Sequence, residues 1–240
     1  MMPPHNYQLP PIEAIPLPTV IPGSWPPLVE RHLKWLHEYN QIHNLTRVPE
    51  EKWLERHVLD SLALHFALWR PTGRVLDLGT GGGFPGIPLA ALNPDTPFVL
   101  LDSKQKVTRL LEDFIQSDPD SPNIQTLTAR SEEAAHDPGH RGCYQTVVTR
   151  AVAALPVLIE LALPFLTDGG QLICWKSDLS ELSTSSKALA ELRGSISALH
   201  KYHLPGEEKE RYLIQITHQS PCPDHFPRKT GIPNKRPLVE

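Results

Sequence analysis

The sequence has few cysteines, no long apolar run and no excess of positive charge. Its three cysteines, Cys143, Cys174 and Cys222, lie far apart, and none belongs to a Cys-x-x-Cys pair. Neither a disulfide framework nor a zinc site is indicated, which fits a reducing cytoplasm. No stretch approaches the roughly 18 apolar residues that span a bilayer, and no basic segment followed by an apolar one opens the chain. We therefore expect a cytoplasmic protein without a membrane anchor.

Charge and composition narrow the class of protein further. The formal net charge is -4 at pH 7, so any contact with nucleic acid must rely on a local basic patch. Hydrophobic residues make up 40% of the 240 residues and charged residues 21%. This is enough apolar material for one α/β domain with extensions, and it lacks the signature of disorder.

The N-terminal residues differ from the rest of the chain. Residues 1–27 contain nine prolines and a single charged residue, Glu13. Proline at this density removes amide donors and blocks regular structure, so we predict an extended arm. One domain over 28–240 should follow, with Ser24 as the cap of its first helix. We divide that domain into a helical extension with two amphipathic segments, a core and a basic tail, at 28–70, 71–220 and 221–240.

From Arg74 onward, apolar runs alternate with amphipathic segments. The predicted strands are Val75 to Leu78, Phe98 to Leu101, Ile124 to Thr128, Val147 to Thr149, Leu172 to Trp175, Ile196 to Leu204 and Tyr212 to Thr217. The predicted helices are Gly86 to Leu92, Lys104 to Ser117, Leu155 to Phe165 and Glu181 to Arg193. Apolar strands separated by helices indicate a parallel sheet covered on both faces. A polar stretch joins the last two strands, which is typical of an antiparallel hairpin.

A glycine-rich loop follows the first strand of the core. It begins at Asp77 and continues as Leu78-Gly79-Thr80-Gly81-Gly82-Gly83. Ligands of open α/β sheets bind at this end of a strand, and glycines let a ligand approach the main chain. The Gly-x-Gly-x-x-Gly spacing alone does not select NAD. Asp77 before the loop resembles the first motif of enzymes that bind S-adenosylmethionine, whose positive charges a carboxylate can compensate; its alternative role is to brace the loop.

Three later strand ends carry further candidates. Asp102 stands where an acidic residue holds ribose hydroxyls, or else caps the helix that follows. The segment 129–133 can read an adenine edge through a small side chain and backbone amides, or it is a surface loop. Arg150 is either a pocket residue or part of a structural ion pair. All three lie at the same edge of the predicted sheet as the glycine loop.

Taken together, these motifs resemble the bacterial small-subunit ribosomal RNA guanine-N7 methyltransferases, also called the glucose-inhibited division protein B family. The matching segments are Asn44 to Thr46, His57 to Leu62, Asp77 to Pro88, Leu100 to Lys104, Arg130 to Glu133, Arg150 to Ala153 and Pro227 to Leu238. The resemblance implies a Rossmann-like methyltransferase fold and an S-adenosylmethionine site formed by Gly79, Phe84, Asp102, Ser103, Lys104, Ser131, Glu132 and Arg150. Three positions depart from the family pattern: Ala129 and Ser177 replace a usual glycine, and Ser131 replaces a usual alanine.

The resemblance also implies the substrate, N7 of a guanine in 16S ribosomal RNA, free or within the small ribosomal subunit. Because N7 has an available lone pair, no catalytic base is expected, and no metal or DNA is implied. The residues expected to contact RNA are Asn44, Arg47, His57, Lys176, Arg228 and Lys229, with Arg56, Lys235 and Arg236 as further phosphate ligands. We expect a monomer. A small-molecule methyltransferase and a non-catalytic ribosome assembly factor remain as alternatives, while the terminal hairpin disfavours an NAD-dependent oxidoreductase.

Overall fold

The computed structural model describes residues 9–20, 23–121 and 123–239. Its strands are β1 (Ile12–Ala14), β2 (Val75–Leu78), β3 (Phe98–Asp102), β4 (Ile124–Thr128), β5 (Tyr144–Arg150), β6 (Leu166–Lys176), β7 (Gly194–His203) and β8 (Glu210–His218). Its α-helices are α1 (Pro27–His43), α2 (Asp60–Phe66), α3 (Gly86–Ala91), α4 (Gln105–Ser117), α5 (Ser131–Ala134), α6 (Leu155–Ala162), α7 (Ser186–Glu191) and α8 (Ile232–Lys235). Short 3-10 turns occur at Glu50–Lys52, Leu163–Phe165 and Ser180–Leu182, and Leu54–Leu59 is π-helical.

The strands of the described residues form one sheet in the order β1-β7-β8-β6-β5-β2-β3-β4. Strand β8 runs antiparallel to both its neighbours, β6 and β7, whereas the other neighbouring strands are parallel. The predicted mostly parallel sheet with a C-terminal antiparallel hairpin is therefore confirmed. Strand β2 pairs with both β3 and β5, so the chain order reverses between β2 and β5. Such a switch point is where open α/β sheets bind ligands.

Two apolar layers cover the sheet because side chains alternate between its faces. Leu76 and Leu78 of β2 belong to the cluster that includes α6 and α7, whereas Val75 belongs to the cluster of α1 to α4. The helical extension is therefore packed on the core, where Leu36 and Val29 of α1 are fully buried. This packing fixes the extension beside the carboxyl ends of the strands.

The proline-rich segment contributes an edge strand that was not predicted. Ile12–Ala14 pairs in parallel with β7, with Ile12 opposite Leu199. Prolines flank this short strand without interrupting it, as an edge position allows. Residues 1–8, 21 and 22 of the predicted arm lie outside the described residues, and the division of the chain at residue 27 stays a prediction.

Two local predictions were wrong. Helix α1 begins at Pro27 with Pro26 at its N-cap and no side-chain cap, so Ser24 does not cap it. The helix expected from Glu181 to Arg193 is interrupted, and α7 begins at Ser186. The hydroxyls of Ser183 and Thr184 donate to the carbonyls of Ser180 and Glu181 instead. Such local bonds compete with the helical pattern.

The C-terminal residues pack on the domain. Phe226 is buried in the layer that contains α6, and Leu238 joins the same cluster. Helix α8 lies between these two residues. Across the described ranges, no helix combines the length and apolarity needed to cross a membrane.

Candidate active site

A cavity of about 690 Å³ lies at the switch point between β2 and β5. Volumes of roughly 300–1,000 Å³ are typical of small-molecule sites. The glycine loop, the ends of β5 and β6 and the helical extension form its wall. Among the described residues, its polar and aromatic wall includes Thr46, Arg56, His57, Asp60, Phe84, Arg150, Trp175, Lys176, Tyr202 and Arg211. Six predicted site residues meet here: Gly79, Phe84, Arg150, His57, Lys176 and Arg56.

The glycine loop adopts backbone conformations that side chains disfavour. Gly79, Gly81 and Gly83 have φ angles of 77°, 52° and 91°. A Cβ atom at Gly79 would lie 2.4 Å from Cγ2 of Val152, in the segment after β5. At Gly81, a Cβ would meet no described atom within 4 Å. The first glycine is thus needed for contact with the β5 segment, and the second leaves open space beside the main chain.

Asp77 braces the loop from below. Its Oδ2 accepts hydrogen bonds from the Thr80 hydroxyl at 2.7 Å and the Gly86 amide at 2.9 Å. Its buried Oδ1 has no partner among the described residues, and burial raises the pKa of Asp77 to about 6. The bracing role left open by the sequence is therefore present. The second oxygen is a free acceptor whose charge a nearby cation would stabilise.

Asp102 links the glycine loop to the next strand. Its Oδ2 accepts a bond from the Gly81 amide at 3.1 Å, and its Oδ1 accepts one from the Lys104 amide at 2.9 Å. Lys104 is the N-cap residue of α4, whose start has no side-chain cap, so Asp102 braces the residue before the helix without capping it. Asp102 is half-buried beside the cavity, while Ser103 and Lys104 are exposed. Contact of these three residues with a cofactor stays a prediction.

Phe84 is held between two histidine rings. Its centroid lies 4.6 Å from that of His32 and 4.6 Å from that of His57. Nε2 of His32 donates to the Gly82 carbonyl at 2.8 Å, and Nε2 of His57 lies 2.8 Å from the Thr46 hydroxyl. Burial lowers the pKa of His32 to about 4 and, with the nearby charge of Arg150, that of His57 to about 3. Both imidazoles are therefore neutral at physiological pH.

Next to the loop lies a group of three arginines and two carboxylates, with Arg150 5.6 Å from the centre of the Phe84 ring. It is here called the arginine cluster: Arg56, Arg150, Arg211, Asp60 and Glu207. Nη1 of Arg150 lies 2.8 Å from Oδ2 of Asp60, and Nη1 of Arg211 lies 3.5 Å from Oδ1. Glu207 accepts from Nη2 of Arg211 at 3.0 Å and from Nε of Arg56 at 2.6 Å. The ion pair left open for Arg150 is thus present, and Arg150 also lines the cavity.

Ser131 and Glu132 direct their side chains away from the cavity. The Ser131 hydroxyl donates to the Leu161 carbonyl at 2.7 Å, and Glu132 accepts from the Gly231 amide at 2.8 Å. Both residues are buried. The Ser131 hydroxyl and one oxygen of Glu132 therefore have protein partners, and contact of this strand end with adenine stays a prediction.

The residues expected to contact RNA are dispersed. Asn44, Arg47 and Lys229 are exposed and outside the cavity wall, as are Lys235 and Arg236. Lys176 donates to Glu181 at 2.6 Å and to the Ala153 carbonyl at 2.9 Å. Arg228 is bound through Nε and Nη2 to Glu160, whose carboxylate is fully buried. Arg228 thus has a structural partner, whereas Arg47 and Lys229 present their side chains to solvent.

Sequence reasoning missed Asp60, Arg211, Tyr202 and Trp175 as site residues. Asp60 belongs to the segment His57 to Leu62, which carries part of the resemblance. This position in a matching segment is the signal that could have identified it. The other three residues lie more than 110 positions further along the chain, outside any motif. Within the described ranges, no group of three or more metal-ligating side chains was found.

The fold matches solved structures of one class of enzyme. A SAM-dependent methyltransferase from Methanosarcina mazei superposes with a TM-score of 0.50 at 14% identity, over 65% of this chain and 97% of that one. At this identity the match shows the fold alone. Together with the glycine loop at the switch point, it defines a Rossmann-like methyltransferase fold.

Sequence comparison gives the family. Residues 27–211 match the model of the GidB family, described as rRNA small subunit methyltransferase G. The ribosomal RNA small subunit methyltransferase G of Acetivibrio thermocellus is 39% identical over 206 residues, and that of Desulfitobacterium hafniense is 40% identical over 207. Each match covers 85% of this chain and 85% of the relative. The chain belongs to this family of small-subunit ribosomal RNA methyltransferases, which confirms the resemblance seen in its motifs.

Proposed function

We propose that this chain transfers a methyl group from S-adenosylmethionine to N7 of a guanine in 16S ribosomal RNA. The observation that carries this proposal is one cavity whose wall combines a glycine loop, held by two aspartates, with an arginine cluster. Membership of the GidB family supports small-subunit ribosomal RNA as the substrate.

The residues at the glycine loop fit the cofactor. Gly81 leaves open space beside its backbone, and Asp77 has a buried oxygen without a described partner. When bound, S-adenosylmethionine supplies an electrophilic methyl group on a positively charged sulfur. Asp77 would compensate its positive charge, Asp102 would accept bonds from its ribose hydroxyls, and Phe84 would supply an apolar surface.

This site is suited to positioning the reactants and does not need to transfer a proton. Guanine N7 attacks through a free lone pair, so the neutral, buried His32 and His57 need not remove a proton. The packed rings around Phe84 exclude water, and the loop holds its shape through Asp77 and Asp102. These residues contribute by alignment and by a preorganised environment.

The arginine cluster suits the edge of guanine that contains N7. Guanine presents the acceptors N7 and O6 there, whereas adenine presents a donor beside its N7. Arginine side chains carry donors and no acceptor. Arg150 and Arg211 on the cavity wall therefore favour guanine over adenine, provided that the base is unpaired or flipped out of its stem.

Labelled cofactor tests the proposal directly. The purified protein is incubated with methyl-labelled S-adenosylmethionine and, separately, with free 16S RNA, small ribosomal subunits and a pool of small metabolites. We expect label in the RNA, in at least one of the first two reactions. Label in metabolites alone would identify a small-molecule methyltransferase. Binding of RNA without any transfer would identify a non-catalytic assembly factor.

A further inference from the structure

We propose that Asp60 is the positioning residue of the cavity: its carboxylate fixes Arg150 and Arg211 side by side, and methyl transfer depends on that arrangement. This inference rests on the proposed function for its effect on turnover. Its structural part, the fixing of two guanidinium groups, stands independently of the substrate.

Asp60 is buried, and contacts from four different strands converge on it. Besides the two arginines, the Tyr202 hydroxyl donates to Oδ1 at 2.7 Å. The indole Nε1 of Trp175 donates to the Asp60 main-chain carbonyl at 2.7 Å. Asp60 is the first residue of α2, so this one residue ties the helical extension to β5, β6, β7 and β8.

Charge explains why a carboxylate is needed at this position. Arg150 and Arg211 are both largely shielded from solvent, with side chains 13% and 25% exposed. Without a shared anion, the two guanidinium groups would repel each other and turn toward water. Burial and the Asp60 carboxylate raise the pKa of Tyr202 well above its usual value, so Tyr202 remains a donor to Asp60.

The cluster keeps one positive charge for a substrate. Three arginines are paired with two carboxylates, and the adjacent His57 is neutral because burial lowers its pKa to about 3. Nε of Arg211 is also buried and has no partner among the described residues. The guanidinium groups of Arg150 and Arg211 are held in place, and their positive charge is not fully neutralised. Such a pair of donors is suited to the electronegative edge of a base, and the orientation of the pair depends on Asp60.

The chain offers a matched control. Asp118 is a second buried aspartate paired with an arginine, with Oδ2 lying 2.5 Å from Nε of Arg31. This pair joins α1 to the end of α4 and is not part of the cavity wall. The variants Asp60→Asn and Asp118→Asn therefore remove the same charge from similar surroundings, one at the cavity and one away from it.

The first measurement follows the guanidinium groups by NMR in protein labelled at arginine, with signals assigned through Arg150→Lys and Arg211→Lys. In the wild type we expect restricted rotation at Arg150 and Arg211. Asp60→Asn should release both groups, whereas Asp118→Asn should leave them unchanged; Arg31 itself keeps Asp120 as a second partner. Unaltered order at Arg150 and Arg211 in Asp60→Asn would overturn the proposal, whatever reaction the protein catalyses.

The second measurement is a double-mutant cycle on RNA methylation. Asp60→Asn should lower kcat/KM for RNA by about 30-fold, within the range for residues of one ion-pair network. In an Arg150→Ala background the same change should cost less than about 3-fold, because the side-by-side arrangement of Arg150 and Arg211 that Asp60 maintains is already lost. Asp118→Asn should retain wild-type turnover. If the losses from Asp60→Asn and Arg150→Ala multiply fully, Asp60 acts in folding alone. If the wild type methylates no RNA, the proposed function is refuted, and the NMR measurement alone decides the role of Asp60.

Discussion

The two sides of the cavity are built differently. The glycine side comes from one continuous segment, Asp77 to Gly86, with Asp102 from the neighbouring strand. The arginine cluster comes from residues 56, 60, 150, 207 and 211, and its hydrogen-bonded partners lie up to 151 positions apart. The first side can be recognised from a short motif because its contacts are local. The second exists only once the sheet has brought its strands together.

This difference predicts two kinds of failure. A change in the contiguous side should remove ligand binding with little effect on the rest of the fold. A change in a contact between distant segments should cost stability as well, because it leaves a buried charge without its partner. Variants on both sides of this contrast should therefore differ in which property they lose.

Gly79→Val should abolish cofactor binding. The new side chain would collide with Val152, and the φ angle of 77° adds strain of about 1–2 kcal/mol. Calorimetry with S-adenosylmethionine measures the binding, and circular dichroism checks the fold. Gly169→Val is the control, because Gly169 has a φ of 73° but no described atom within 4 Å of its Cβ. Retained binding in Gly79→Val would show that the loop tolerates a side chain.

Arg228→Ala should reduce the free energy of unfolding by about 3–5 kcal/mol, because the buried Glu160 carboxylate loses its arginine. The neighbouring Lys229 is exposed, so Lys229→Ala should stay within about 0.5 kcal/mol of wild type. Lys229→Ala should instead reduce the slope of log RNA affinity against log salt by up to about 0.7. Urea unfolding and binding at several salt concentrations measure these quantities. Equal stability of the two variants would contradict a structural role for Arg228.

Asp102→Ala should weaken cofactor binding by about 1.5–3 kcal/mol through loss of charge-assisted hydrogen bonds. Because Asp102 also accepts from the Gly81 and Lys104 amides, part of this loss would come from the loop. Asp102→Asn keeps one acceptor and should fall between alanine and wild type. Calorimetry on all three proteins distinguishes them, and an unchanged affinity in Asp102→Ala would refute the ribose contact.

Asp77 should make stability depend on pH. Burial raises its pKa from 3.8 to about 6, so its contribution to folding is fully present below about pH 4 and is lost as pH rises through about 6. Asp77→Asn should therefore stabilise the cofactor-free protein at pH 7.5 by about 1–3 kcal/mol and give no gain at pH 4. It should also weaken binding of the cationic cofactor.

Asp118→Asn should change the dependence of folding stability on pH in the opposite direction. Although burial opposes it, pairing with Arg31 holds the pKa of Asp118 below its usual value. This carboxylate therefore contributes stability at neutral pH that is lost on acidification. Relative to wild type, the stability gain in Asp77→Asn should grow between pH 4 and 7.5, whereas the stability loss in Asp118→Asn should stay nearly constant there and shrink only below about pH 4. Thermal melts from about pH 2.5 to 7.5 measure both dependences. Parallel trends would contradict the assignment of a raised pKa to Asp77.

The sequence was sufficient for the sheet and the loop because both depend on local patterns. Strands β2 and β4 match their predicted bounds, and the glycine loop follows β2 as expected. Edge strand β1 could not be predicted, because its partner lies in β7 and its neighbours are prolines. The interruption before α7 depends on hydroxyl groups bonding to nearby carbonyls, which a pattern of apolar residues does not record.

Charge patterns proved less informative than apolar ones. Lys176 and Arg228 were indistinguishable in sequence from solvent-facing cations, yet each has a carboxylate partner. Asp60 was given no role of its own from the sequence, whereas its side-chain partners come from strands β5, β7 and β8. The charge of a side chain can be read from a sequence, but the residue that pairs with this charge is set by the tertiary fold.

The most direct test of the account is the position of the methyl group on the RNA. Purified protein is incubated with S-adenosylmethionine and either free 16S RNA or small ribosomal subunits, and the RNA is digested and analysed by mass spectrometry. We expect one additional methyl group, on N7 of a single guanine, in at least one of the two substrates. Methylation at another atom, or on a metabolite and never on RNA, would contradict the proposed reaction.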